Sequence, residues 1–142
     1  IDAKRKRLIK TVLGFLHSSV YERKQEMSII VMKAIEFIDK NYANNTISLE
    51  MVADAVGKNP SYLSNLFKLE TGKNFSEYLR ELRIEKAIEM LSDVSYKVYE
   101  IAEMVGYADV SSFAKAFKRH TGLRPGEYRK GGQGYEYSGE ED

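Results

Sequence analysis

The stretch Ser61-Tyr62-Leu63-Ser64-Asn65-Leu66-Phe67-Lys68-Leu69-Glu70-Thr71-Gly72-Lys73-Asn74-Phe75-Ser76-Glu77-Tyr78 is echoed 50 residues later, from Ser111 to Tyr128. Ser61, Phe67, Lys68, Thr71, Gly72, Glu77 and Tyr78 return as Ser111, Phe117, Lys118, Thr121, Gly122, Glu127 and Tyr128. Just upstream, Ala53, Val56 and Gly57 return 49 residues later as Ala102, Val105 and Gly106, so the register slips by one residue only in a turn. Leu63 against Phe113 keeps an apolar residue at the same place. Ten identities with a single turn insertion identify an internal repeat. Each copy reads as a short helix, a glycine-containing turn and a second helix. That is a helix-turn-helix unit, and it occurs twice.

Outward from the repeat, Ser48 is a good N-cap for a short helix that places Leu49, Val52, Ala53 and Val56 on one face and stops at Gly57. Asn59-Pro60 supplies the cap and first helical position of the next helix, which runs to Thr71 and closes at Gly72. A long helix is expected from about Asn74 to Ser92, followed by helices over about 97–105, 110–121 and 125–130. Ahead of the repeat, Ile30, Val31, Ala34, Ile35 and Ile38 recur at helical spacing, giving a helix from Met27 to about Tyr42. Residues 1–26 put Leu8, Val12, Phe15 and Leu16 at the same spacing behind Lys4-Arg5-Lys6-Arg7, as in an amphipathic linker or dimerisation helix. Residues 131–142 are glycine-rich and acidic and read as a disordered tail. The fold class is therefore all-α: two helix-turn-helix units joined by a long central helix over residues 27–130, with an additional N-terminal amphipathic helix.

Composition narrows the function. The 142 residues hold 22 Lys+Arg against 21 Asp+Glu and no Cys, which excludes disulfides, thiolate metal sites and cysteine nucleophiles. His17 and His120 are the only histidines, too few for a histidine-built metal site; His120 reads as a packing residue and His17 as a surface one. No nucleophile–base–orienter set can be assembled, so an enzyme is not expected, and neither is a cofactor. No apolar run reaches the length of a membrane span and no secretory signal is legible, so the expected location is the cytoplasm. The start at Ile1 rather than Met is expected of a fragment.

The small net charge hides an uneven distribution. Residues 109–130 carry six Lys/Arg against Asp109 and Glu127, and residues 58–73 carry three Lys against Glu70, whereas residues 77–93 hold five acids against three bases. In the first copy Leu63, Leu66 and Phe67 form the inward stripe, and Ser61, Ser64, Asn65 and Lys68 the opposite one. Short hydrogen-bonding side chains on one face can enter a major groove, and Asn suits adenine. In the second copy Phe113, Ala116 and Phe117 face inward, while Val110, Ser111, Ser112, Lys115, Lys118 and Arg119 lie outward or flanking. Lys115 can reach a guanine edge, and Val110 a thymine methyl. Base contacts are thus expected from Ser61, Ser64, Asn65, Val110, Ser111, Ser112 and Lys115, and phosphate contacts from Asn59, Lys68, Lys118 and Arg119. Phe67, Phe117, Tyr78 and Tyr128 read as packing residues rather than base-stacking groups.

Residues 47–130 resemble the DNA-binding domain of AraC/XylS-type transcription regulators, most of all the subgroup attached to response-regulator receivers. The motifs that carry the resemblance are Ile47-Ser48-Leu49-Glu50, Asn59-Pro60-Ser61-Tyr62-Leu63, Phe75-Ser76-Glu77-Tyr78-Leu79 and Arg83-Ile84-Glu85-Lys86-Ala87. The strongest is Ile101-Ala102-Glu103-Met104-Val105-Gly106-Tyr107 with Phe113-Ala114-Lys115-Ala116-Phe117-Lys118-Arg119, completed by Pro125-Gly126-Glu127-Tyr128-Arg129. Ser111-Ser112-Phe113 departs from the aromatic pair often seen there. The resemblance implies seven helices, double-stranded DNA as partner and a missing sensory or receiver domain. A homodimer and contact with RNA polymerase are further partners expected of such a regulator.

The rival expectation is a helical protein-interaction or adaptor domain without DNA binding; a salt-steep affinity for duplex DNA separates the two. The long helix, at roughly 19 residues and about 1.5 Å per residue, is expected to span on the order of 28 Å. That is close to the roughly 34 Å between successive major-groove faces on one side of B-DNA.

Overall fold

The structure is a computed structural model and describes residues 25, 26 and 28–132. The expected linker helix (but for residues 25 and 26), His17 and the acidic tail from 133 onward lie outside the described residues. Four of the helices begin where the N-cap side chain takes a free N–H group. After α1 (residues 28–41), the Ser48 hydroxyl accepts the Met51 N–H at 3.2 Å and opens α2 (Leu49–Val56). The Asn59 side chain accepts from Ser61 at 2.8 Å, and Pro60 takes the first position of α3 (Pro60–Thr71), where its missing N–H costs nothing. Asn74 caps α4 (Phe75–Leu91) through the Glu77 N–H at 2.9 Å. α5 (Val98–Met104) is followed by α6 (Val110–Thr121), capped by Asp109, and by α7 (Pro125–Gly132). All seven are helices, and no strand occurs among the described residues.

Two hydrophobic cores share one long helix. The first gathers Val31, Ala34, Ile38, Ile47, Val52, Ala53, Leu63, Leu66, Phe67 and Leu79. The second gathers Ile84, Ala87, Leu91, Ile101, Ala102, Val105, Phe113 and Phe117. The first turns of α4 thus bury Leu79, with Leu82 packed beside it, in one unit, and its last turns bury Ile84, Ala87 and Leu91 in the other. Burying a Leu, Ile or Phe side chain stabilises by about 1.5–3 kcal/mol, so both ends of α4 are anchored. Tyr42, at the end of α1, packs on both cores.

The repeat holds in three dimensions down to single bonds. Thr71 Oγ1 donates to Phe67 O at 2.7 Å and accepts the Lys73 N–H at 3.2 Å; Thr121 Oγ1 donates to Phe117 O at 2.8 Å and accepts the Leu123 N–H at 3.2 Å. Each Thr fastens the last turn of its helix to the loop that turns away from it. Gly72 and Gly122 follow at φ 76° and 85°, left-handed conformations that close both helices.

Three expectations are corrected. α4 has 17 residues, Phe75–Leu91, because Asn74 and Ser92 serve as its caps. α7 continues through Gly131 and Gly132, so any tail starts two residues later than expected. Once the first turn is formed, each further residue adds one backbone bond, which extends the helix into the glycines despite their low helix propensity. His120 is exposed rather than packed, because the inward stripe of α6 passes from Phe117 to Thr121 and leaves His120 on the flank.

Candidate nucleic-acid interface

The candidate surface consists of the faces of α3 and α6 opposite their cores. On α3, Ser61, Asn65 and Lys68 are exposed and Ser64 is half-buried, while Leu63, Leu66 and Phe67 are buried on the other side. On α6, Val110 is 44% exposed, and Ser111, Ser112, Lys115, Lys118 and Arg119 are exposed opposite Phe113 and Phe117. Each polar face is presented by a helix fixed from behind. A surface so anchored loses little freedom on meeting a ligand.

Capping commits some of these groups before any ligand arrives. The Asn59 oxygen is taken by the Ser61 N–H, so only its amide nitrogen is left to face a phosphate. Asp109 accepts the Ser112 N–H at 2.7 Å on one oxygen and the Ser112 hydroxyl at 2.9 Å on the other. Ser112 has therefore spent its only hydroxyl proton. Its lone pairs can still accept from cytosine N4 or adenine N6, whereas donating to a guanine or thymine edge requires giving up the Asp109 bond. Ser111 and Lys115 keep their donors. The Ser112 N–H, and after it the hydroxyl, hold the Asp109 carboxyl below the usual range, so it stays ionised at the helix N-terminus.

Lys58 is a residue that sequence reasoning missed. It sits in the α2–α3 turn with its ammonium 6.0 Å from the centre of the exposed Tyr62 ring, beside Asn59 and Ser61. Its place directly after the helix-ending Gly57 was the available signal. An open cleft of about 610 Å³ runs between Asn44 and Asn45 of the α1–α2 turn and Tyr99, Glu103, Tyr107 and Asp109 of the second unit. Its two carboxylates make it a poor place for a phosphate. Among the described residues no group of three His, Asp or Glu could hold a metal ion.

The arrangement of two repeated helix pairs on one helix matches known proteins. A family profile described as a helix-turn-helix domain matches residues 52–131. The chain belongs to this AraC-type helix-turn-helix family. The AraC-type family is one of DNA-binding transcription regulators and not of enzymes. The chain is 41% identical over 108 residues to the transcriptional regulatory protein YesN of Bacillus subtilis, an alignment covering 72% of this chain and 29% of that protein. It is similar to the solved C-terminal domain of AraT, a response regulator from Geobacillus stearothermophilus, with TM-score 0.72 and 37% identity over 79% of this chain and 93% of that one. It also shares its fold with the DNA-binding domain of AdpA, solved in complex with a target DNA: TM-score 0.70, 19% identity, 77% of this chain and 97% of that one. The chain spans 29% to 35% of the length of three of the curated relatives it matches, YesN among them.

No helix among the described residues of this AraC-type domain is long and apolar enough to cross a membrane. All of the residues expected to meet DNA lie on α3, α6 or their caps, and all but Ser64 are exposed.

Proposed function

We propose that this domain is the DNA-reading part of a transcription regulator, laying α3 and α6 into two successive major-groove segments of duplex DNA. The observation that carries this reading is the pair of anchored helices, alike in cap, buried stripe and terminal Thr, each presenting polar and basic residues outward. Ser61, Ser64 and Asn65 on the first helix, and Val110, Ser111, Ser112 and Lys115 on the second, take the base edges. Asn59, Lys68, Lys118 and Arg119 take phosphates and set the register. At 17 residues and about 1.5 Å each, α4 spans roughly 26 Å, which suits two heads about one DNA turn apart.

The likeness to a response regulator's C-terminal domain supports a receiver or other sensory domain elsewhere in the protein. Residues 1–26 then serve as the connection to it and as a surface for self-association, and residues 133–142 form an acidic tail. Such a regulator acts in the cytoplasm and exerts its effect through RNA polymerase.

Selection of bound sequences from a random duplex library tests the reading, followed by affinity measurements over a range of salt. Enrichment of an asymmetric two-part site, with log affinity falling steeply against log salt, supports it. Absence of duplex binding at low salt leaves a protein-interaction domain instead.

A further inference from the structure

The two units are also joined around Arg83. From the middle of α4, its Nε donates to the Tyr42 carbonyl at 2.8 Å and its Nη2 to the Asn44 carbonyl at 3.0 Å, the first at the end of α1 and the second in the α1–α2 turn of the first unit. The same guanidinium lies 5.4 Å from the centre of the Tyr107 ring, in the turn that leads to α6 of the second unit. Between them stands Gly106 at φ 101°, where an added Cβ would come within 2.4 Å of Tyr42 O and 2.9 Å of Arg83 Nε. The second unit's turn is thus pressed against the end of α1, and only glycine allows that approach. Burial pulls the Arg83 pKa below its ordinary value, and burial pushes the Tyr107 hydroxyl up; a guanidinium still keeps its charge.

A helix packed at each end into a different core fixes the distance between those cores, but torsion along it and rocking of each unit remain soft. A planar guanidinium bonded to one unit and stacked on the other removes that freedom, because its donors form a rigid fork. We infer that Arg83, seated against Gly106, is a positioning residue that fixes the spacing and relative rotation of α3 and α6, and so the spacing between the two DNA segments the domain selects. The inference rests on the two-segment reading above.

The test takes the selected site and varies the number of base pairs between its halves by one in either direction. The wild-type chain should lose about tenfold or more in affinity for either change, the scale of a lost base contact. Arg83→Lys keeps the charge but cannot bridge two carbonyls and stack as a plane; its loss should fall to about threefold or less, with affinity for a single half unchanged. Because the chain has no Cys, spin labels at Glu70→Cys and His120→Cys, both exposed at the ends of the two helices, report the distance between them without DNA. That distribution should be narrow in wild type and broad in Arg83→Lys. Tyr107→Leu, which removes the ring under the guanidinium together with its contact to Phe113, should move both readings the same way by less, and stands in if Arg83→Lys does not fold. Wild-type spacing preference and a narrow distance in both variants overturn the inference. A wild-type chain indifferent to spacing removes the two-segment reading instead, and the label distances then decide the role of Arg83 alone.

Discussion

Tyr128 stands edge-on to Phe117, ring centres 5.4 Å apart and planes at 85°, as Tyr78 does to Phe67 at 5.2 Å and 87°. Each tyrosine comes from the helix after the recognition helix and braces it from behind. An edge-on pair contributes about 0.5–1.5 kcal/mol beyond its burial. A double-mutant cycle of Phe117→Leu and Tyr128→Leu in urea unfolding should therefore return a coupling of about 1 kcal/mol, and the Phe67–Tyr78 cycle a similar one. Additive losses would separate the rings energetically.

The paired threonines give a second prediction. Thr121→Val keeps the shape but removes the hydroxyl that bonds Phe117 O and the Leu123 N–H, and should cost about 0.5–1.5 kcal/mol. Thr71→Val should cost the same, and the Ser variant less in both places. Thermal unfolding of the four variants decides it.

Gly72 and Gly106 should differ sharply. Both have positive φ, but an added Cβ at Gly72 meets nothing within 4 Å, whereas at Gly106 it meets the Tyr42 carbonyl at 2.4 Å. Gly72→Ala should cost about 1–2 kcal/mol for the left-handed backbone alone. Gly106→Ala should cost at least twice that in urea unfolding.

The repeated stripes, the caps Ser48 and Asn59, and the glycine stops were legible because each depends on residues within one or two turns. Both cores followed from the same periodicity. Arg83 and Arg129 were not legible as joints. Arg129 donates to the carbonyls of Leu91 at 3.0 Å and Tyr96 at 2.6 Å, which are 38 and 33 residues away, and no local pattern says which helix end a cation will meet. His120 was misplaced because the last turn of α6 offers two near-inward positions and Thr121, half-buried, takes the inner one. On the candidate surface the outward residues were readable, but the cap that spends the Ser112 proton on Asp109 depends on a side-chain rotamer.

Asp109 sets a pH dependence. Its folded pKa is depressed, so its capping contribution is fully present above the unfolded value of about 3.9 and is lost as pH falls through the lower folded value. The stability difference between wild type and Asp109→Asn should be constant from neutral pH to about pH 5 and shrink in the window below about pH 4. A difference that changes between pH 7 and 5 would point to another group.

Within the proposed interface, Asn65→Ala should lose discrimination at one base position by about 1–3 kcal/mol. Lys118→Ala should weaken all sequences alike and reduce the slope of log affinity against log salt by about 1. Equal loss of specificity from both substitutions would contradict the division between base and phosphate contacts.

The most direct measurement is a hydroxyl-radical footprint of one monomer on its selected site. Two protected segments, about one helical turn apart on the same face of the duplex, are expected, with binding abolished when five base pairs are inserted between them. Protection of a single segment, or unchanged binding after the insertion, contradicts a domain that reads DNA with both helices at once.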